Sequence, residues 1–135
     1  MNIVRPAAAA MLAVHGLIHL LGFVVPWQVV SVAGLPARTT VLAGAVELGE
    51  LGSRAVGLAW LALAVGFLIA AIGIWRNGSW ALAATGALAV GSLIVCVLGL
   101  PDTAFGIGID IAILGLVGSV AWRRGSRGPN RTYAG

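Results

Sequence analysis

Three ionisable side chains stand inside otherwise apolar runs: His15, His19 and Asp110. An aspartate in hydrocarbon costs about 2.5–3.5 kcal/mol on insertion scales, so it is expected to face other helices and to have a partner. The two histidines are four residues apart, which puts them on one face of a helix, and Gly22 continues that face. Three roles suit such a set. It can be a hydrogen-bonded pair that fixes helix order, with polar contacts between membrane helices contributing only about 0.6 kcal/mol on average. It can pass a proton or hold a small ligand, since histidine beside a carboxylate is the usual material of a relay. It can also hold a transition metal through His15, His19 and Asp110, because imidazole suits zinc, copper, iron and nickel. A bis-histidine haem fits less well, both histidines lying on one side of one helix. The zinc-protease form needs a glutamate after the first histidine, where this chain has Gly16.

The elements that position these residues follow from composition. Sixty per cent of the 135 residues are hydrophobic and 9% are charged, with a mean hydropathy of +1.05. Soluble domains are roughly a quarter charged, and a small one cannot hide this much apolar surface. Four apolar stretches emerge, Ala7–Val25, Ala55–Trp75, Trp80–Leu100 and Phe105–Trp122. Each approaches the roughly 20 residues that a helix needs to cross about 30 Å of hydrocarbon. Where there is no water, the backbone must satisfy its own hydrogen bonds, so each stretch is read as a helix. The expected fold class is all-α, an integral membrane four-helix bundle forming a single domain over 1–125. A basic tail, 126–135, is expected to be unstructured. A cleaved signal peptide is the competing reading of the first stretch, but Ala7–Val25 exceeds the roughly 7–15 apolar residues of such peptides.

Trp27, Trp75, Trp80 and Trp122 fall at predicted helix ends, where indole rings favour the membrane interface, and Trp60 lies inside the second span. Arg5, Arg76 and the tail arginines (Arg123, Arg124, Arg127, Arg131) lie on one side, against Arg38 and Arg54 on the other. The positive-inside rule then gives an N-in/C-in topology in the cell inner (plasma) membrane, with a longer outward-facing loop between helices 1 and 2. Within that loop, residues 28–54 are compatible with a short interfacial helix using Val41, Ala45, Leu48 and Gly52, and equally with a small strand pairing. Small residues four apart (Ala62, Gly66 and Ala70; Ala87 and Gly91; Gly108 and Ala112; Gly115 and Ser119) allow helices to approach closely.

This topology sets depth. At about 1.5 Å per residue, His19 and Asp110 each lie roughly 10 Å below the outer boundary, and His15 about 6 Å deeper. Ser92, Cys96 and Trp60 fall near the same outer layer. A direct His19–Asp110 contact is therefore expected, with Ser92 within reach and His15 below.

The net charge of +4 and pI near 11.2 raise the question of nucleic acid. No aromatic-and-basic groove accompanies the tail, so the lipid bilayer, with a membrane protein partner or a second copy, is the expected company. The lone Cys96 excludes an intramolecular disulfide. A nucleotide-binding loop is absent, as is lysine altogether, and no nucleophile elbow stands out, which excludes ordinary ATPase and hydrolase chemistry.

Around His15-Gly16-Leu17-Ile18-His19-Leu20-Leu21-Gly22-Phe23 the chain resembles a bacterial group of small four-span membrane proteins whose first helix carries an HG-x-IH-x-x-GF-like motif. The likeness continues at Ser53-Arg54, Gly57 and Trp60, and more loosely over Asp102-Thr103-Ala104-Phe105-Gly106. It covers most of the chain apart from 28–52 and the tail. It implies the topology and the intramembrane histidines and names no reaction. Members commonly carry asparagine or a similar polar residue early in the fourth span, where this chain departs with Asp110.

The expected function is a small polytopic membrane protein with an outward-facing intramembrane site, built from His15, His19, Asp110, Ser92 and Trp60, for a proton, a metal or a small ligand. The alternative is a non-catalytic accessory or scaffold subunit of a larger membrane complex. No residue set points to catalysis, and a membrane redox enzyme ranks behind both.

Overall fold

The computed structural model describes residues 3–126. Four long helices account for most of them: α1 (Val4–Val24), α2 (Gly49–Trp75), α3 (Ala81–Leu98) and α4 (Ala104–Gly125). All four are long and apolar enough to cross a membrane, and the chain is a multi-pass membrane protein. Proline placement explains the continuity of the spans. Pro6 sits in the first turn of α1, where a missing N–H costs nothing, while Pro26, Pro36 and Pro101 lie between helices.

Local chemistry ends α2. Asn77 adopts a left-handed φ of 58°, which asparagine tolerates, and lets Gly78 N–H reach back to the Gly73 carbonyl at 2.8 Å. Asn77 N–H takes the Ile74 carbonyl in the same motif. Two carbonyls left over at the helix end are thereby satisfied.

The loop between α1 and α2 is a strand pairing and not an interfacial helix. Thr40–Val41 (β1) and Val46–Glu47 (β2) form an antiparallel hairpin, with Thr40 opposite Glu47 and Val41 opposite Val46. Its turn holds Leu42 and Ala43 at φ 54° and 58°, unfavourable for residues with a Cβ. Their N–H groups donate to the Leu98 and Leu100 carbonyls at 2.8 and 2.9 Å, partners that only the end of α3 can supply. Leu48 and Gly52, expected on the interfacial face, belong instead to the start of α2. That helix begins at Gly49, six residues before the expected Ala55, because Glu50 pairs with Arg54 one turn on (2.6 Å) and carries the helix past the apolar stretch. The other spans differ from expectation by a few residues at their ends. Of the expected tail, Ser126 caps α4, and 127–135 lie outside the described residues.

Packing runs in series, α1 on α2, α2 on α3, α3 on α4, and α1 and α4 make little direct contact. Glycines allow the close approaches. A Cβ on Gly16 would stand 3.0 Å from both the Ala64 carbonyl oxygen and Phe67 Cβ, and one on Gly22 would sit 2.4 Å from the Trp60 ring. The core is thin: Phe67 is its largest fully buried apolar side chain, flanked by Leu12, Ala71, Ala89 and Ile113.

Candidate functional site

The buried residues of α1 include Leu12, His15, Gly16 and His19, a single stripe at helical spacing. Gly16, between the two histidines, lets α2 come close enough to close over their rings. Phe67 of α2 lies 4.8 Å from the His15 ring and 5.3 Å from that of His19, and Trp60 lies 5.0 Å from His19, centroid to centroid. The histidine rings meet each other edge to face at 4.5 Å. Ser92 of α3 and Asp110 of α4 complete the layer, both with no exposed surface.

These side chains form one hydrogen-bonded chain. His15 Nε2 lies 3.0 Å from Asp110 Oδ1, Ser92 Oγ lies 2.7 Å from Asp110 Oδ2, and His19 Nε2 lies 2.7 Å from Ser92 Oγ. His19 Nδ1 stands 2.8 Å from the His15 carbonyl oxygen. A carbonyl only accepts, so His19 Nδ1 carries a proton.

The direct partner of Asp110 is His15, and not His19 as expected. His19 reaches Asp110 through the Ser92 hydroxyl. Depth along the helix placed both rings near the carboxylate but could not choose between them, because one turn is about 5.4 Å, a distance a histidine side chain can span. The choice is made by His19 Nδ1, whose bond to its own helix turns Nε2 toward α3 and leaves the carboxylate to His15.

All five sequence-derived residues, His15, His19, Ser92, Asp110 and Trp60, lie in this one layer, yet they do not form the expected metal set. His15 and Asp110 point their donor and acceptor atoms at each other, and both nitrogens of His19 are engaged elsewhere. Among the described residues no group of three His, Cys, Asp or Glu side chains is arranged to hold a metal ion. Phe67 is a site residue that sequence reasoning passed over. The seven-residue interval from Trp60 was its signal, since it places both aromatics on one face of α2.

A proton can sit in two places along this chain. With Ser92 donating to an Asp110 carboxylate, His19 Nε2–H donates to Ser92 and the imidazole is cationic. With Asp110 protonated and donating to Ser92, the hydroxyl donates to a neutral His19. The contacts are the same and the sum of charge is zero in both, so the two arrangements of protons fit the same heavy-atom geometry.

A cavity of about 300 Å³ opens beside this network. His15, His19, Trp60, Cys96, Gly106 and Ile109 line its depth. Toward the hairpin end it is bounded by Pro36, Arg38, Thr40 and Asp102, where Arg38 and Asp102 approach to 3.5 Å. The Ser53 hydroxyl and Leu48 N–H bind the carbonyls of Arg38 and Thr39, so this cover is tied to the start of α2. Its volume sits at the lower end of the roughly 300–1,000 Å³ typical of ligand pockets.

Neither the family models, the curated proteins nor the solved structures contain a match to this chain.

Proposed function

We propose that the chain is a bacterial inner (plasma) membrane protein that holds a small ligand in this cavity against the His15–Asp110–Ser92–His19 network, which exchanges a proton as the ligand comes and goes. Both termini are cytoplasmic in this reading and the cavity lies toward the outer face, supported by the arginine distribution. The resemblance of the first helix to the small four-span group accords with it. The observation that carries the reading is the juxtaposition of a mostly apolar cavity with a buried polar chain drawn from three helices. Ionisable groups within a bilayer that face a cavity mark sites of function.

The test uses a variant in which Trp60 is the sole tryptophan, the other four being phenylalanine. Bromobenzene and 4-bromophenol, small heavy-atom quenchers, should quench Trp60 saturably in detergent, and Ile109→Phe, which fills the cavity, should abolish saturation. Quenching that rises linearly and ignores Ile109→Phe would defeat the reading.

A second reading, a non-catalytic accessory or scaffold subunit, is favoured by one feature. Gly108, Ala112, Gly115 and Ser119 make an exposed stripe on α4, and a Cβ on Gly108 or Gly115 would meet nothing within 4 Å. Small residues on an open face suit contact with another helix. Under this reading Gly115→Leu shifts the protein to a smaller assembly by native mass spectrometry in mild detergent, whereas the ligand reading leaves its mass unchanged.

A further inference from the structure

The end of the bundle opposite the hairpin carries positive charge that the chain does not neutralise. The four acidic residues are Glu47, Glu50 and Asp102, at the hairpin end, and Asp110, in the buried layer. Arg123 and Arg124, both exposed in the last turn of α4, therefore have no carboxylate side chain of this chain to pair with. Their place suits the helix dipole, which offsets only part of two full charges. Trp122 beside them is strongly exposed, and Trp75 and Trp80 lie exposed at the same end. Indole rings favour the membrane interface, so this is the level of the lipid headgroups.

An apolar groove leads away from the arginines. On the outer surface of the bundle, Ala10, Met11, Val14, His15 and Ile18 of α1 and Ile109 of α4 bound a groove of about 310 Å³ with no polar surface. Met11, Val14 and Ile18 are each about half exposed, so the groove opens to lipid. The two helices that flank it make little contact with each other. Its walls continue toward the arginine end. Ala7 extends the stripe of α1 by a turn, and the exposed Leu116 and Val120 follow Ile109 along one face of α4. Arg123 and Arg124 straddle that same face, with Arg123 fourteen residues, or about 21 Å, from Ile109. Half a bilayer, from midplane to headgroups, is roughly 20–22 Å. An acyl chain lying in the groove therefore brings its headgroup to the two arginines.

We propose that this seam binds a phospholipid with an anionic headgroup, its phosphate between Arg123 and Arg124 and one acyl chain in the α1–α4 groove. Charge complementarity selects the head. Two guanidiniums without a carboxylate partner favour a lipid of net negative charge over a zwitterion, whose ammonium cancels its phosphate. The groove selects the chain, because Ala7 and Ala10 leave a channel that larger side chains would close. The site goes beyond the ligand-binding reading of the cavity and stands independently of it.

Native mass spectrometry of the intact protein in mild detergent tests the proposal. The probes are dioleoylphosphatidylglycerol and dioleoylphosphatidylcholine, which share their chains and differ in charge. The first single-lipid adduct should favour phosphatidylglycerol on the order of tenfold, the scale of two arginines near an anionic headgroup. Arg123→Gln/Arg124→Gln should abolish the preference, while Arg76→Gln, at the same end but in the α2–α3 turn, should leave it intact. Ala10→Phe, which fills the groove, should weaken phosphatidylglycerol binding several-fold with both arginines in place. All four positions are exposed, so the fold should tolerate these changes, and unchanged melting temperatures check that it does. No preference in the unaltered protein, or an equal loss in Arg76→Gln, would mean that charge at this end attracts lipid without a site, and overturns the proposal. Undiminished binding by Ala10→Phe overturns it too, because the chain is then not seated in the groove.

Discussion

Asp110 has no exposed surface and accepts or shares protons with two neighbours, and each neighbour in turn depends on it. Removing it orphans His15 Nε2 and takes one of the two partners of the Ser92 hydroxyl, which keeps His19. Asp110→Ala is therefore expected to destabilise the protein in detergent by about 2–3 kcal/mol, the cost of leaving buried polar groups unpaired, seen as a lower melting temperature. Ser92→Ala removes two links, to Asp110 and to His19, while His15–Asp110 survives, so it should cost a comparable amount, about 1–3 kcal/mol. The informative measurement is a double-mutant cycle between His19→Ala and Asp110→Ala. These residues do not touch, yet Ser92 bridges them, so the cycle should give a coupling on the order of 0.5–1 kcal/mol that vanishes in a Ser92→Ala background. A coupling that persists without Ser92 would mean that the hydroxyl is not the link.

The helices that hold this layer are close because of particular glycines, and the bundle is uneven in where it needs them. Gly16 and Gly22 meet α2 at distances that leave no space for a Cβ, whereas Gly108 and Gly115 face open surroundings. Gly16→Val should therefore destabilise by about 1–3 kcal/mol, since α1 must move off Ala64 and Phe67 and carry both histidine rings with it. Gly115→Ala should leave the melting temperature unchanged or slightly raised, because alanine favours the helix and nothing opposes it. Thermal unfolding of the two variants side by side checks the contrast. The hairpin is a weaker element. Its Arg38–Asp102 pair is 3.5 Å apart and part-exposed, so Arg38→Ala should change stability by less than about 1 kcal/mol. The turn's hydrogen bonds to the end of α3 carry more of its attachment.

For the molecule as a whole, serial packing leaves α1 and α4 as the two unpaired edges of the bundle, joined chiefly at the His15–Asp110 bond. That places the seam between α1 and α4 beside the buried polar network. Orientation is tested with single cysteines in a Cys96→Ala background: Ala45→Cys at the hairpin and Ser79→Cys between α2 and α3, both exposed. The arginine distribution predicts that a membrane-impermeant thiol reagent added to intact cells labels Ala45→Cys and reaches Ser79→Cys only after permeabilisation. The opposite labelling would invert the topology and turn the cavity toward the cytoplasm. Four spans were legible from residue types alone, because crossing a bilayer demands long apolar runs whose backbones bond internally, a requirement independent of neighbours. The membership of the polar layer was legible too, since helical rise and the order of the spans fix depth and put His19, Ser92 and Asp110 at one level. The pairing within that layer depended on which way each imidazole turns, and that was settled by a backbone carbonyl and by a serine from another helix. The hairpin likewise needed carbonyls that α3 presents only once it is in place. Such contacts join residues far apart in the chain, and no local periodicity encodes them.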